Sequence, residues 1–354
     1  MMINRLMMSS LLLFFSFMVS NAHSKVNLLS TEQNTIDVFQ QSSSKVVYIQ
    51  RFATVSKHFK REQIPDGAGS GIIWDNAGHI VTNYHVIRGA SHLQVMMGDV
   101  SVAAKVVGAE PRKDIAVLLV SSPKAMEKIK ALQPFELAPS KELLVGQKTI
   151  AIGNPYGLDH SLTIGVISAL DRQFPGVGGV NIHGAIQTDA SINPGNSGGP
   201  LLDSNGRLIG LNTAIYSQNG ASAGIGFAVP SDDIQHIATQ IILHGRVVLA
   251  GIGIERAEPA LAEKLGVKKG ILIANTLPNT PAAKAKLAIT SHDRLGHTSI
   301  GDVIVSVNDM PVDNYDEFYN MFTEIGVGQE IKVTVLRNGK RFNHKMKTID
   351  IAAY

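Results

Sequence analysis

From about Thr35 to Pro230 the apolar residues come in short, mostly β-branched or aliphatic runs, each broken within a few positions by turn formers. Val46–Gln50, Gly71–Trp74, His79–Thr82, Leu93–Met97, Ala116–Val120, Lys148–Ile152, Thr163–Ser168, Leu208–Thr213 and Gly226–Val229 each read as a strand. Asp75-Asn76-Ala77-Gly78 and Ser204-Asn205-Gly206 fall between such runs as hairpin turns. Short strands with no crossover helices between them predict an antiparallel barrel or sandwich. One helix closes the region: Ser231 is its expected N-cap, Ile234, Ile237 and Ile241 form its apolar stripe, and His244-Gly245 ends it. Asp232 and Asp233 complement the positive first turn.

After a short linker at Arg246–Leu249 the pattern restarts on a smaller scale. Strands are expected at Ile252–Ile254, Ile271–Ile273, Val303–Val307 and Ile331–Leu336, the last pairing with Arg341–Lys347 through Asn338-Gly339. Thr280 before Pro281 and Asn314 before Glu317 predict the N-termini of two short helices. The expected organisation is a β domain over 35–245 and a small α+β domain over 250–350.

Composition agrees with two domains, since 354 residues exceed one typical domain of about 150. A hydrophobic share of 44% excludes a disordered chain, and a net charge of +3 gives no field for nucleic acid. The absence of cysteine excludes disulfides, thiolate metal sites and a thiol nucleophile. The histidines show no metal-ligand spacing, so neither metal nor cofactor is expected. Gly67-Ala68-Gly69-Ser70-Gly71 lacks the lysine and helix of a phosphate loop, and Lys57–Arg61 reads as a solvated basic loop. Arg5, the apolar run Leu11–Val19 and Ser20-Asn21-Ala22 read as an export signal over residues 1–22, cleaved after Ala22.

The densest chemical signal is Asp189-Ala190-Ser191-Ile192-Asn193-Pro194-Gly195-Asn196-Ser197-Gly198-Gly199-Pro200. A serine among glycines lets the backbone approach a substrate and aim its own N–H groups at one point, as an oxyanion hole requires. Gly195 and Ser197 are the expected donors. A serine nucleophile needs a base, and the base an orienting carboxylate. His85, directly after a strand, and Asp114, at the start of an apolar one, are the candidates. Taken singly, each has an ordinary reading as a turn, a surface histidine or a strand cap. Three in the order His, Asp, Ser within one β-rich chain point to acyl transfer. Asn212 and Thr213 are alternative partners for Asp114.

The segments Gly69-Ser70-Gly71, Thr82–Ile87, Asp114–Leu118, Ala151–Gly157, Gly195–Pro200 and Gly224–Pro230 together resemble the HtrA/Deg family of trypsin-like serine proteases. The resemblance implies an all-β protease domain of two six-stranded antiparallel β-barrels with the site between them. It makes His85 the general base, Asp114 its orienting carboxylate and Ser197 the nucleophile, with Gly195, Asn196 and Ser197 as the backbone oxyanion hole. The pocket base six positions before the serine is Ser191, which is not acidic, and Ile192, Ile215 and Tyr216 fall along the walls. Such a pocket implies cleavage after small aliphatic residues. The C-terminal segment resembles one PDZ domain, with Gly251-Ile252-Gly253-Ile254 as the carboxylate-binding loop. The longer stretch Ala288–Ile300 and Gly157–Thr163 resemble chloroplast Deg proteases.

The expected function is therefore an exported, ATP-independent serine endopeptidase acting on unfolded or misfolded proteins, in a bacterial periplasm. Expected partners are those substrates, C-terminal peptides at the PDZ domain, and further copies forming a trimer or a multiple of trimers. The alternative is a chaperone or binding module without significant proteolysis, which an intact His85, Asp114 and Ser197 disfavour. An α/β-hydrolase fits Gly195-Asn196-Ser197-Gly198-Gly199 formally, but Pro200-Leu201-Leu202 reads as a strand where that fold needs a helix.

Overall fold

The computed structural model describes residues 27–57, 60–157, 159–176, 181–193, 195–215, 224–292 and 298–354. The export signal thus lies outside the described residues, as do His58 and Phe59 of the basic loop. Helix α1 (Ser30–Ser42) leads into strands β1 (Val46–Lys57), β2 (Lys60–Ile73) and β3 (His79–Thr82). A single turn, α2 (Tyr84–Ile87), precedes β4 (His92–Met97), β5 (Val100–Glu110) and β6 (Ile115–Leu119). These strands close a barrel in the order β1-β2-β3-β6-β5-β4. Helix α3 (Pro123–Lys130) leads to the second barrel: β7 (Lys148–Gly153), β8 (Ser161–Pro175), β9 (Asn181–Thr188), β10 (Pro200–Leu202), β11 (Leu208–Ile215) and β12 (Gly226–Pro230). Its closed order is β10-β11-β12-β9-β8-β7, and α4 (Ser231–His244) follows.

One apolar cluster binds the barrels to each other. It takes Ile72, Val81, Ile115 and Val117 from the first barrel and Ile150, Ile152, Leu211 and Val229 from the second. Ile234, Ile237 and Ile241 of α4 join the same cluster, as their spacing predicts. Val47, Ile49, Ile80, Val95 and Leu118 fill the first barrel separately. Two apolar cores meeting along a seam give a stiff frame with a rim where both barrels present loops.

The C-terminal domain contains β13 (Ala250–Gly251), β14 (Ile254–Arg256), α5 (Pro259–Lys264), β15 (Ile271–Thr276), α6 (Pro281–Lys284), β16 (Ser291–His292) and β17 (Thr298–Ser299). Strands β18 (Val303–Val307) and β19 (Met310–Pro311), helix α7 (Tyr315–Ile325), and β20 (Glu330–Arg337), β21 (Lys340–Lys347) and β22 (Ile349–Asp350) complete it. The sheet order is β14-β15-β18-β20-β21, with β19 beside β18. The expected caps are present: Thr280 accepts from Ala283 N and Asn314 accepts from Glu317 N. The stretch Ala288–Ile300 carries the two-stranded ribbon β16–β17, and residues 293–297 lie outside the described residues.

Three local expectations are corrected. Ser231 is not a cap: Pro230 caps α4, and Ser231 is its first residue, buried with its hydroxyl donating to Ala138 O at 2.6 Å. Ile252–Ile254 is not a strand, because Gly253 at φ +79° breaks the extended run and β14 begins at Ile254. Lys57, Lys60 and Arg61 of the basic stretch lie instead in paired strands, since β1 and β2 pair from Val46↔Ile72 out to Lys57↔Lys60.

Leu118, fully buried in the first barrel, gives a direct test of the frame. Leu118→Ala is expected to lower stability by about 2–5 kcal/mol. Calorimetry of the full chain should show the transition of the two-barrel domain moving down while that of the C-terminal domain stays in place.

Candidate active site

The turn at Asp114 builds the first half of the site. Pro111–Lys113 form a 3-10 turn, capped where the Glu110 side chain accepts from Arg112 N. Asp114 then adopts φ 54°, ψ 38°, a left-handed conformation that aspartate tolerates better than most residues. Its carbonyl accepts from Asn83 Nδ2 at 3.0 Å and Tyr84 N at 3.1 Å, tying it to the start of α2. Its carboxylate turns to the same helix. Oδ1 accepts from His85 N at 2.9 Å, and Oδ2 lies 2.7 Å from His85 Nδ1. This contact places the proton on Nδ1 and leaves Nε2 as the basic nitrogen. Asp114 is 3% exposed, while the His85 side chain is 35% exposed. The carboxylate is buried and the imidazole is reachable.

The second barrel supplies one more donor to that carboxylate. Thr213 Oγ1 donates to Asp114 Oδ2, whereas Asn212, the other candidate, turns away to donate from Nδ2 to Pro200 O at 2.9 Å. The reason is a β-bulge. The pairing of β11 with β12 skips Thr213 between Asn212 and Ala214, and an unpaired bulge residue can be aimed where the ladder would not allow.

Ser197 lies in the loop between β9 and β10. Its Oγ donates to Thr213 O at 3.4 Å, and among the described residues no hydrogen bond joins it to His85. Gly195 stands at φ +114°, and a Cβ there would lie 2.7 Å from Pro155 Cβ, so only glycine fits. Among the described residues no acceptor takes the Gly195 or Ser197 N–H. Asn196 differs from its expected place in the oxyanion hole. Its N–H donates to Asn193 O at 3.1 Å and is already committed to the turn. The Asn196 side chain staples the loop, donating to Ser191 O at 3.0 Å and accepting from Asn193 N at 3.0 Å.

A trypsin-like peptidase domain model matches residues 69–211 and a PDZ domain model matches 249–351. The chain is 47% identical over 324 residues to Protease Do-like 1, chloroplastic, of Arabidopsis thaliana, covering 90% of this chain and 72% of that protein. It is 39% identical to the periplasmic serine endoprotease DegP of Escherichia coli K12, covering 78% of this chain and 55% of DegP. A solved HtrA-type protease, AlgW with a decapeptide, superposes with a TM-score of 0.68 at 32% identity, over 89% of this chain and 98% of AlgW. The chain belongs to the HtrA/Deg family of serine proteases.

Within this HtrA/Deg frame the remaining predicted residues take different places. Ser191 is exposed, and its carbonyl also accepts from Thr163 Oγ1 at 3.0 Å. Ile192 is 1% exposed and packs in the second barrel core with Ile167, Ile186 and Ala228. It therefore backs the site instead of standing open along a pocket wall. The Ile215 side chain and all of Tyr216 lie outside the described residues. Among the described residues no cluster of three or more His, Asp or Glu is set to hold a metal ion.

In the PDZ domain Ile252 is buried in the core, Gly253 turns against Thr280, and Ile254 opens β14. A cavity of about 170 Å³ follows these residues, walled by Tyr315, Phe318 and Tyr319 of α7. Arg112 of the protease domain lines it too, its guanidinium 4.6 Å over the Tyr319 ring. Burial pushes the Tyr319 phenol up to about 12. Burial opposes the charge on Arg112, but its hydrogen bonds to Glu110 hold its pKa above the ordinary value. Sequence reasoning missed this contact, since nothing in Pro111-Arg112-Lys113 signals a partner two hundred residues away.

Thr213→Val removes one donor from a buried carboxylate while keeping shape. Leaving such a group short of a partner costs about 1–3 kcal/mol. The expected result is a kcat lowered by roughly tenfold with little change in KM, and recovery in Thr213→Ser, read from peptide hydrolysis.

Proposed function

We propose that this protease is an exported, ATP-independent endopeptidase that cleaves unfolded or misfolded proteins through Ser197, His85 and Asp114. The observation that carries the reading is the His85–Asp114 contact at 2.7 Å, buried on the carboxylate side and open on the imidazole side. As substrate enters, the Ser197 hydroxyl turns from Thr213 O to His85 Nε2. His85 takes the proton as Oγ attacks the scissile carbonyl, and returns it to the leaving amine. Asp114 holds the tautomer and stabilises the imidazolium without itself taking the proton. The N–H groups of Gly195 and Ser197 receive the oxyanion. Water then repeats the cycle on the acyl-enzyme.

A neutral Ser191 where an acid would select Lys or Arg supports a preference for small aliphatic P1 residues, since a lysine entering there would meet no counter-charge from that position. The PDZ loop Ile252-Gly253-Ile254 receives a peptide C-terminus by strand addition along β14. Control runs through the segment Asp171–His183 and through Tyr216–Ala223, the latter outside the described residues. The first has a physical connection to the PDZ domain. Asn181 Nδ2 donates to Asp316 Oδ2 at 2.9 Å, and His183 Nε2 lies 3.7 Å from the same oxygen. Asp316 lies in the first turn of α7, the helix that walls the peptide cavity. Assembly into a trimer or a multiple of trimers, and retention of unfolded chains as a chaperone, complete the proposal. The relatives are named as chloroplastic and periplasmic proteins, and the N-terminal leader supports export.

Ser197→Ala is expected to lower turnover by roughly six orders of magnitude while the fold persists. Casein degradation with mapped cut sites is the assay, and residual near-normal cleavage, or wild-type cleavage mainly after Lys or Arg, would sink the corresponding assignment.

Asp316→Ala separates the first loop from α7. The peptide cavity should still bind a C-terminal peptide, by calorimetry, while that peptide no longer raises the hydrolysis rate of a short aliphatic substrate. An unchanged rate response in the variant would remove this contact from the control path.

A further inference from the structure

The motif Gly69-Ser70-Gly71 supplies none of the proposed reacting groups, yet every polar atom of Ser70 is engaged at or behind the nucleophile loop. Ser70 sits on β2 of the first barrel with no exposure to solvent. Its Oγ donates to Gly195 O at 2.6 Å and accepts from Asn154 N at 2.9 Å. Its N–H donates to Ser197 O at 2.8 Å, and its carbonyl accepts from Thr82 Oγ1 at 2.7 Å. The flanking glycines allow this approach: a Cβ at Gly69 would lie 2.6 Å from Val86 Cγ2 and 3.1 Å from Ser197 O.

A trans peptide directs its C=O and N–H to opposite sides, so partners at both ends fix its plane. The Gly195–Asn196 peptide is held by Ser70 Oγ at its oxygen and by Asn193 O at its N–H. The Ser197–Gly198 peptide is held by Ser70 N at its oxygen and by Asn212 O at its N–H. Between them, the Asn196 carbonyl accepts from Gly199 N at 3.0 Å, so the Ser197 N–H has one direction left to point. The Gly195 N–H belongs to the preceding peptide, and among the described residues it meets no acceptor.

We propose that Ser70 is a positioning residue that clamps the nucleophile loop across the barrel seam. It sets the Ser197 N–H as a standing oxyanion donor and confines any turning of the loop to the peptide that carries the Gly195 N–H. This rests on the reading of Ser197 as nucleophile.

The test uses Ser70→Ala and Ser70→Cys in the full chain, with an aliphatic peptide substrate and the matched peptide boronate, whose tetrahedral adduct places an oxygen where the oxyanion forms. Active sites are counted with a fluorophosphonate, so slow molecules are distinguished from unfolded ones. For Ser70→Ala the expected result is a kcat per active site lower by roughly 10- to 100-fold, a boronate Ki higher by a similar factor, and KM within about twofold. Ser70→Cys, which keeps the shape and a weaker donor, should fall between. A kcat per active site and a Ki both matching wild type overturn the clamp, as does a loss explained wholly by fewer active sites. If the alanine variant does not fold, the cysteine variant decides by the same criteria. Ser197→Ala runs alongside: activity surviving there overturns the nucleophile assignment, whereas its loss with an unaffected Ser70→Ala overturns only the clamp.

Discussion

A carboxylate buried to 3% exposure needs donors on nearly every side, and much of the site is arranged to supply them to Asp114. No lysine or arginine pairs with it among the described residues; backbone, imidazole and hydroxyl groups do. Each donor requires a local irregularity. The left-handed turn at Asp114 aims its oxygens at α2, the single turn of α2 offers the His85 N–H and ring, and the bulge at Thr213 brings in the hydroxyl. Regular strands would deliver none of these. The irregularities persist because the neighbouring strands, packed on both sides of the seam, leave little freedom to relax them.

The seam also explains why the site needs both barrels. His85 and Asp114 stand on the first, Ser197 and Thr213 on the second, and the apolar cluster between them fixes their separation. Polar crossings among the described residues include Thr213 to Asp114, and Ser70 to Gly195, Ser197 and Asn154. A small shift along the seam would stretch both together. Packing thus carries the stability, while these hydrogen bonds give the loop its precision.

Much of this was legible in the sequence. Short apolar runs gave most strands, and His85, Asp114 and Ser197 stood out by residue type and order. Other features follow from context. Val100–Glu110 is a strand despite Ala103-Ala104-Lys105, because its neighbours complete a barrel. Ser30–Ser42 is a helix with too few apolar residues to show a stripe, and it docks by Val38 and by Asn34 donating to Ser204 O. The choice of Thr213 over Asn212 depends on a bulge that no residue pattern announces. Ile192 read as a pocket wall because its place in the motif is known, whereas the direction of its side chain is set by the barrel core.

The same geometry bounds how strongly the PDZ domain can govern the protease. Described contacts between them include Asn181 and His183 with Asp316, Arg112 over Tyr319, and Arg246 with Asp350 at the linker. Several of these groups are partly open to solvent, where single polar contacts contribute about 1 kcal/mol or less. Moving a population from about 1% to 99% active requires roughly 5.5 kcal/mol of differential binding. A handful of rim contacts in one subunit falls short of that. Under the proposed control, a peptide in the α7 cavity would act as a partial bias on a site already held by the Asp114 donors and the Ser70 hydrogen bonds. Full switching would then need the bias to add across copies of the chain or to combine with substrate in the cleft. A site already held by the Asp114 donors and the Ser70 hydrogen bonds would suit such a weak control input better than one rebuilt from a collapsed loop.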